Sequence, residues 1–164
     1  MAAPPPAPEP REPDDEAIRD AIEMLFLASG ALIGDADRDL AREGMGQAHL
    51  RALFLIGRHP GLTVSDLLGL LGVTKQSLSR VLADLIARQH VAQVPGSTDR
   101  RRRHLHLTPT GQALEARLTE RQRQRMARAL AGCGAEAAGA FGGVARSLLD
   151  GGMRAWFAQR DSAR

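Results

Sequence analysis

A single lysine, Lys75, stands against 21 arginines in this 164-residue chain. The lysine lies in residues 72–82, GVTKQSLSRVL, and the run Arg100, Arg101, Arg102 and Arg103 follows in GSTDRRRRHLHLT, residues 96–108. Between positions 74 and 103, Lys75, Arg80, Arg88 and these four arginines face only Asp84 and Asp99, a local excess larger than the +3 of the whole chain. Positive charge gathered in one stretch is the electrostatic footprint of a nucleic-acid reader. The residue types suit that task. Arginine bonds bidentately to guanine, glutamine to adenine, and lysine and serine hold phosphates. Two other readings compete: a solvated charge run, and a basic tip that binds an acidic protein partner.

Other reactive side chains offer less. His104 and His106 are one residue apart on an expected strand and share a side, but no cysteine or carboxylate cluster accompanies them, so solvated wing histidines are expected rather than a metal site. Cys133, the one cysteine, cannot form an internal disulfide; it is either an interface thiol or a redox-active one. The acidic trio Asp14, Asp15 and Glu16 suits a helix start better than acid–base chemistry. There is no phosphate-binding glycine loop, zinc spacing or nucleophile elbow. Neither an enzyme nor a cofactor-dependent protein is expected.

The elements that position the basic residues follow from hydrophobic spacing. Residues 1–13 hold six of the nine prolines and read as a disordered tail. Ile18, Ile22, Leu25 and Phe26 then recur at helical spacing over about residues 14–31, and a short helix is expected around residues 37–43. Leu50, Leu53, Phe54 and Ile56 mark a helix stopped by Pro60 and Gly61. Thr63 with Asp66 opens a helix with Leu67, Leu68 and Leu71 inward, Gly72 closes it, and Thr74 caps the next. On that helix, about residues 75–89, Leu78, Val81, Leu82 and Leu85 share one face, away from Lys75, Gln76, Ser79, Arg80 and Asp84. This is a helix-turn-helix pattern. Strands are expected at residues 90–94 and 103–107 around an exposed basic turn, which makes the unit a winged helix. Thr108 and Pro109 restart helix.

Two final helices, about residues 109–131 and 135–159, have no place in a minimal winged helix. The second carries Phe141, Val144, Leu148, Leu149, Met153 and Trp156 as an apolar stripe, which together with the first helix looks like an oligomerisation element. The expected fold is mainly α with a small β-hairpin wing: a tail at residues 1–13, an N-terminal dimerisation region at 14–44, the winged helix-turn-helix at 45–108 and C-terminal dimerisation helices at 109–164. No apolar run is long enough for a membrane span and no secretory signal opens the chain, so a cytoplasmic protein with no membrane partner is expected.

The segment LTVSDLLGLLGVTKQSLSRVLADLIARQHV followed by DRRRRHLHLTPTG resembles the MarR family of transcriptional regulators, whose wing pattern falls here on Asp99, Arg101, Leu107, Thr108 and Gly111. The phrases KQSLSRVL and AHLRALFLIGRHPGLTV are similar to a PetP-like branch. The resemblance implies a triangular homodimer, joined through terminal helices, that represses from a pseudo-palindromic double-stranded operator and is released by a small-molecule effector. Thr74, Lys75, Gln76, Ser77, Ser79 and Arg80 would face the major groove. For Arg80 the competing reading is a surface ion pair with Asp84. In the wing, the family pattern pairs Arg101 with Asp99 as a brace, while one of Arg100, Arg101 or Arg102 enters a narrow minor groove. Phe26, His49 and Phe54 would line an effector cleft, with a structural role for His49 as the alternative.

Overall fold

The computed structural model describes residues 13–96 and 102–161, apart from the side chain of Asp35. The tail up to residue 12 and the wing residues Asp99, Arg100 and Arg101 lie outside the described residues. The order is α1 (Asp15–Arg42), α2 (Gln47–Arg58), β1 (Leu62–Thr63), α3 (Val64–Leu71), α4 (Lys75–Ala87), β2 (Val91–Pro95), β3 (Arg103–Leu107), α5 (Pro109–Ser147) and α6 (Gly151–Asp161).

Helix α1 begins where the acidic trio predicts. Asp14 Oδ1 accepts the Ala17 N–H at 2.9 Å, and Asp15 and Glu16 fill the positive first turn. The separate short helix expected at residues 37–43 does not exist; α1 runs through Gly30 and Gly34 to Arg42. Glycine inside a helix costs about 0.5–1 kcal/mol relative to alanine. Burial offsets that cost, because Ala36 and Leu40, one turn apart, are 0% and 1% exposed in the core. Gly44, at φ +64°, then turns the chain into α2.

The reading head is built as its caps predict. Thr63 Oγ1 accepts the Asp66 N–H at 3.1 Å while Asp66 Oδ2 accepts the Thr63 N–H at 3.0 Å, a reciprocal box that fixes the start of α3. Gly72 ends α3 at φ +62°. Thr74 Oγ1 accepts the Ser77 N–H at 3.2 Å and starts α4. The inward residues of α3 are Leu67, Leu70 and Leu71, with Leu68 only partly covered, a shift from the expected set. Arg51 of α2 donates to the Leu71 carbonyl at 3.1 Å and closes the end of α3.

The sheet has three antiparallel strands in the order β1–β3–β2. β2 and β3 are the expected hairpin; β1, only Leu62 and Thr63, was not foreseen, since two residues cannot show an alternation. Leu62 pairs with Leu105, and both are fully buried. Helix α5 starts at Thr108 and Pro109 and is broken by Gly134 (φ +82°, ψ 168°), at the expected boundary. A second break before Gly151 frees α6, and Met153 and Trp156 turn onto this chain's own core instead of extending the outer stripe.

Candidate DNA interface

Leu78, Val81, Leu82 and Leu85 of α4 are buried, which fixes the rotation of the helix about its axis. The opposite side is thereby committed to solvent: Thr74, Lys75, Gln76, Ser77, Ser79 and Arg80 are all exposed. The alternative partner for Arg80 is occupied elsewhere. Asp84 Oδ1 accepts from Arg88 Nε at 2.9 Å, and Asp84 Oδ2 lies 3.3 Å from His49 Nε2. Among the described residues no ion pair engages Arg80 or Lys75, so both cations are available to an anionic ligand.

Asp84 also ties α4 to the helices around it. Arg88 Nη1 donates to the Glu43 carbonyl at 2.6 Å, and the Glu43 carboxylate accepts from Arg117 of α5 at 2.5 Å. Each such exposed contact contributes well under about 1 kcal/mol. Their effect is registration: the far end of the recognition helix is tied to the end of α1 and to α5.

His49 is part of this arrangement. Its Nδ1 accepts the Gly46 N–H at 3.2 Å at the start of α2, and its Nε2 lies 3.3 Å from Asp84 Oδ2. One ring nitrogen caps α2 and the other faces the Asp84 carboxylate, which favours the structural reading of this residue.

The wing is a regular ladder from Val91 opposite Leu107 to Pro95 opposite Arg103, extended by the Gly96 N–H bonded to the Arg102 carbonyl at 2.9 Å. Arg102 and Arg103 are exposed at its described end. With Thr63, Val64 and Ser65 they line a small recess at the start of α3 that sequence reasoning missed. The cap on Thr63 was visible in the sequence, but its closeness to the wing depends on β1. His104 is not a solvated wing histidine: Nδ1 bonds the Gly61 carbonyl at 2.8 Å and the ring is partly buried.

Gly111 is the position where the wing motif demands glycine. A Cβ there would stand 1.9 Å from the His90 carbonyl oxygen, so the start of α5 can meet the turn between α4 and β2 only without a side chain. Thr108 and Thr110 strengthen the same junction by donating to the Gln89 carbonyl at 2.5 and 2.7 Å.

A cavity of 640 Å³ lies where α1, α2 and α5 meet, lined by Leu32, Phe54, Thr119, Gln122, Arg123 and Met126 among others. Of the three expected cleft residues only Phe54 lines it. Phe26 is 72% exposed, on the outer face of α1. The wall supplied by α5 combines Thr119, Glu120, Gln122, Arg123 and Gln124, from a polar stretch that in the sequence looks like a mere gap in the apolar stripe, with Met126, Ala127 and Leu130. Cys133 is exposed beside the Gly134 break. No helix among the described residues is long and apolar enough to cross a membrane.

A helix-turn-helix with an uncommitted polar reading face, a three-stranded wing and flanking helices defines the winged-helix class of DNA-binding regulators. Residues 43–102 match the family model described as MarR family. The chain is 46% identical over 140 residues to the HTH-type transcriptional regulator PetP of Rhodobacter capsulatus, covering 85% of this chain and 84% of that protein. It belongs to the MarR family, a family of transcriptional regulators, and its similarity to PetP spans nearly the whole length of both. Among solved structures, Streptococcus pneumoniae FabT in complex with DNA shares its fold at TM-score 0.59 and 21% identity, over 92% of this chain and 100% of that one. A Mycobacterium tuberculosis MarR-family protein in complex with p-aminosalicylic acid matches at TM-score 0.53 and 25% identity, over 77% and 95%.

Proposed function

We propose that this protein is a homodimeric repressor that binds a pseudo-palindromic operator in double-stranded DNA and releases it when a small molecule binds. The observation that carries the reading is the α4 face of Lys75, Gln76, Ser77, Ser79 and Arg80, exposed beside a basic wing while the opposite leucine face is locked in the core. Arg80 and Gln76 read base edges; Thr74, Lys75, Ser77 and Ser79 hold phosphates or neighbouring edges. One of Arg100, Arg101 and Arg102 supplies the minor-groove contact, with Asp99 bracing Arg101. FabT was solved with DNA, which supports the same use of this fold.

The dimer reading rests on apolar surface. Ile18, Ile22, Leu25 and Phe26 of α1, Phe141 and Val144 of α5 and Leu148 at its end are each at least 45% exposed in a single chain, an arrangement that a second copy would cover. The proposed division is residues 14–44 and 109–164 for assembly and 45–108 for DNA binding, with α6 itself packed on its own chain's core. The 640 Å³ cavity at their junction suits a small effector, and a related protein was solved with an aromatic carboxylic acid. Arg123 on its wall is paired with Glu120 at 2.9 Å, so an anionic group would have to displace that carboxylate to reach it.

A salt titration tests the reading. Because phosphate neutralisation releases counterions, log affinity falls with log salt by about 0.9 for each phosphate contact. Arg101→Ala is expected to weaken binding across DNA sequences and to flatten that slope, whereas Arg80→Ala also relaxes sequence preference. Parent-like binding by both variants would remove the assigned face. Selective retention of an acidic protein with no DNA affinity would favour the adaptor role instead.

A further inference from the structure

Helix α6 packs against α3. Met153, Trp156, Phe157 and Arg160 recur along it at helical spacing, and these are the residues of α6 that are partly covered. Trp156 and Phe157 meet edge to face at 5.0 Å between ring centres, and both meet the His59 imidazole edge to face, at 4.9 and 5.9 Å. The Arg160 guanidinium lies 4.9 Å over the Trp156 ring. Asp150 Oδ1 accepts the Met153 N–H at 2.8 Å and fixes the start of the helix.

His59 caps the end of α2 and opens the segment that joins the parts of the reading head. Its carbonyl accepts the Leu62 N–H at 3.2 Å, and the Gly61 N–H donates to the Leu105 carbonyl of β3 at 2.9 Å. The Gly61 carbonyl bonds His104 at 2.8 Å, Leu62 and Thr63 pair with β3, and Thr63 caps α3. Residues 59–63 thus fasten the end of α2, the inner wing strand and the start of α3 together, and α6 grips that joint through its aromatic pair.

We propose that α6 is a strap that holds the wing in register with the recognition helix, with Trp156 and Phe157 as positioning residues for DNA binding. This rests on the DNA-binding reading above. The strap continues the stretch after Gly134 that bears the exposed Phe141, Val144 and Leu148, so covering that stretch with a second copy links assembly to the set of the wing.

Trp156 is the one tryptophan and the chain has no tyrosine, so indole emission reports the strap directly. The test uses full-length protein, amide hydrogen exchange without DNA, and affinity for the duplex most enriched from a random pool. Trp156→Ala is expected to speed exchange in residues 61–63 and 103–107, leave the inner amides of α4 protected, and weaken binding roughly tenfold. Trp156→Phe keeps a ring against His59 and restores most of both. His59→Ala removes the other side of the contact, should shift Trp156 emission, and decides the matter if Trp156→Ala unfolds. Unchanged exchange in β1 and β3, or faster exchange with parent-like affinity, would overturn the proposal. Failure of the parent to bind any duplex would sink the DNA-binding reading, and exchange alone would then show whether α6 holds the wing.

Discussion

Arg80 owes its availability to its neighbours. Asp84, one turn along α4, is taken by Arg88 and His49, so the guanidinium that sequence reasoning left between an ion pair and a DNA contact has no intramolecular carboxylate among the described residues. Replacing Arg80 with alanine should cost about 1–3 kcal/mol of operator binding and relax preference at one base pair, while Lys75→Ala should weaken all duplexes alike and lower the salt slope by about one. Competition binding against single-base operator variants separates these outcomes. Glycines make a second contrast. Gly111→Ala drives a Cβ into the His90 carbonyl and should destabilise the fold by about 1–3 kcal/mol or more. Gly69, within α3 with open space around its missing Cβ, should gain about 0.5–1 kcal/mol on the same substitution. Chemical denaturation of both variants reads the opposite signs.

The elements show what sequence could and could not convey. Caps and stops were legible because each is a local event: Asp14, Thr63, Gly72, Thr74 and Thr108 act on backbone within a few residues, and all are where spacing placed them. The strand β3, with Leu105 buried between His104 and His106, was legible from alternation. The continuation of α1 through Gly34 was not, because burial of Ala36 and Leu40 against other elements decides it. Strand β1, the bond from His104 to Gly61 and the docking of α6 are likewise contacts between distant parts of the chain. In the reading helix every expected side chain is exposed, whereas of the three residues expected in a cleft only Phe54 lines the cavity, since its α5 wall mixes polar residues 119–124 with Met126, Ala127 and Leu130 and shows no simple apolar stripe.

At the scale of the whole molecule, the uncovered faces of α1 and α5 make a second copy part of the account. Ile22→Asp with Leu25→Asp should convert the dimer to a monomer in sedimentation analysis. It should also weaken operator binding by far more than either site alone would predict, because two half-sites on one dimer raise each other's effective concentration. The symmetry of that dimer sets the spacing of its target. Two α4 helices related by a two-fold axis reach successive major-groove faces of one duplex side, about 34 Å apart. Selection of bound duplexes from a random-sequence pool, followed by sequencing, tests this most directly. Enrichment of an inverted repeat with half-site centres about 10 bp apart is expected, with preference relaxed at one base pair of each half-site when Arg80 is replaced by alanine. A pool that emerges without any enriched motif, or with an unrepeated one, would contradict it.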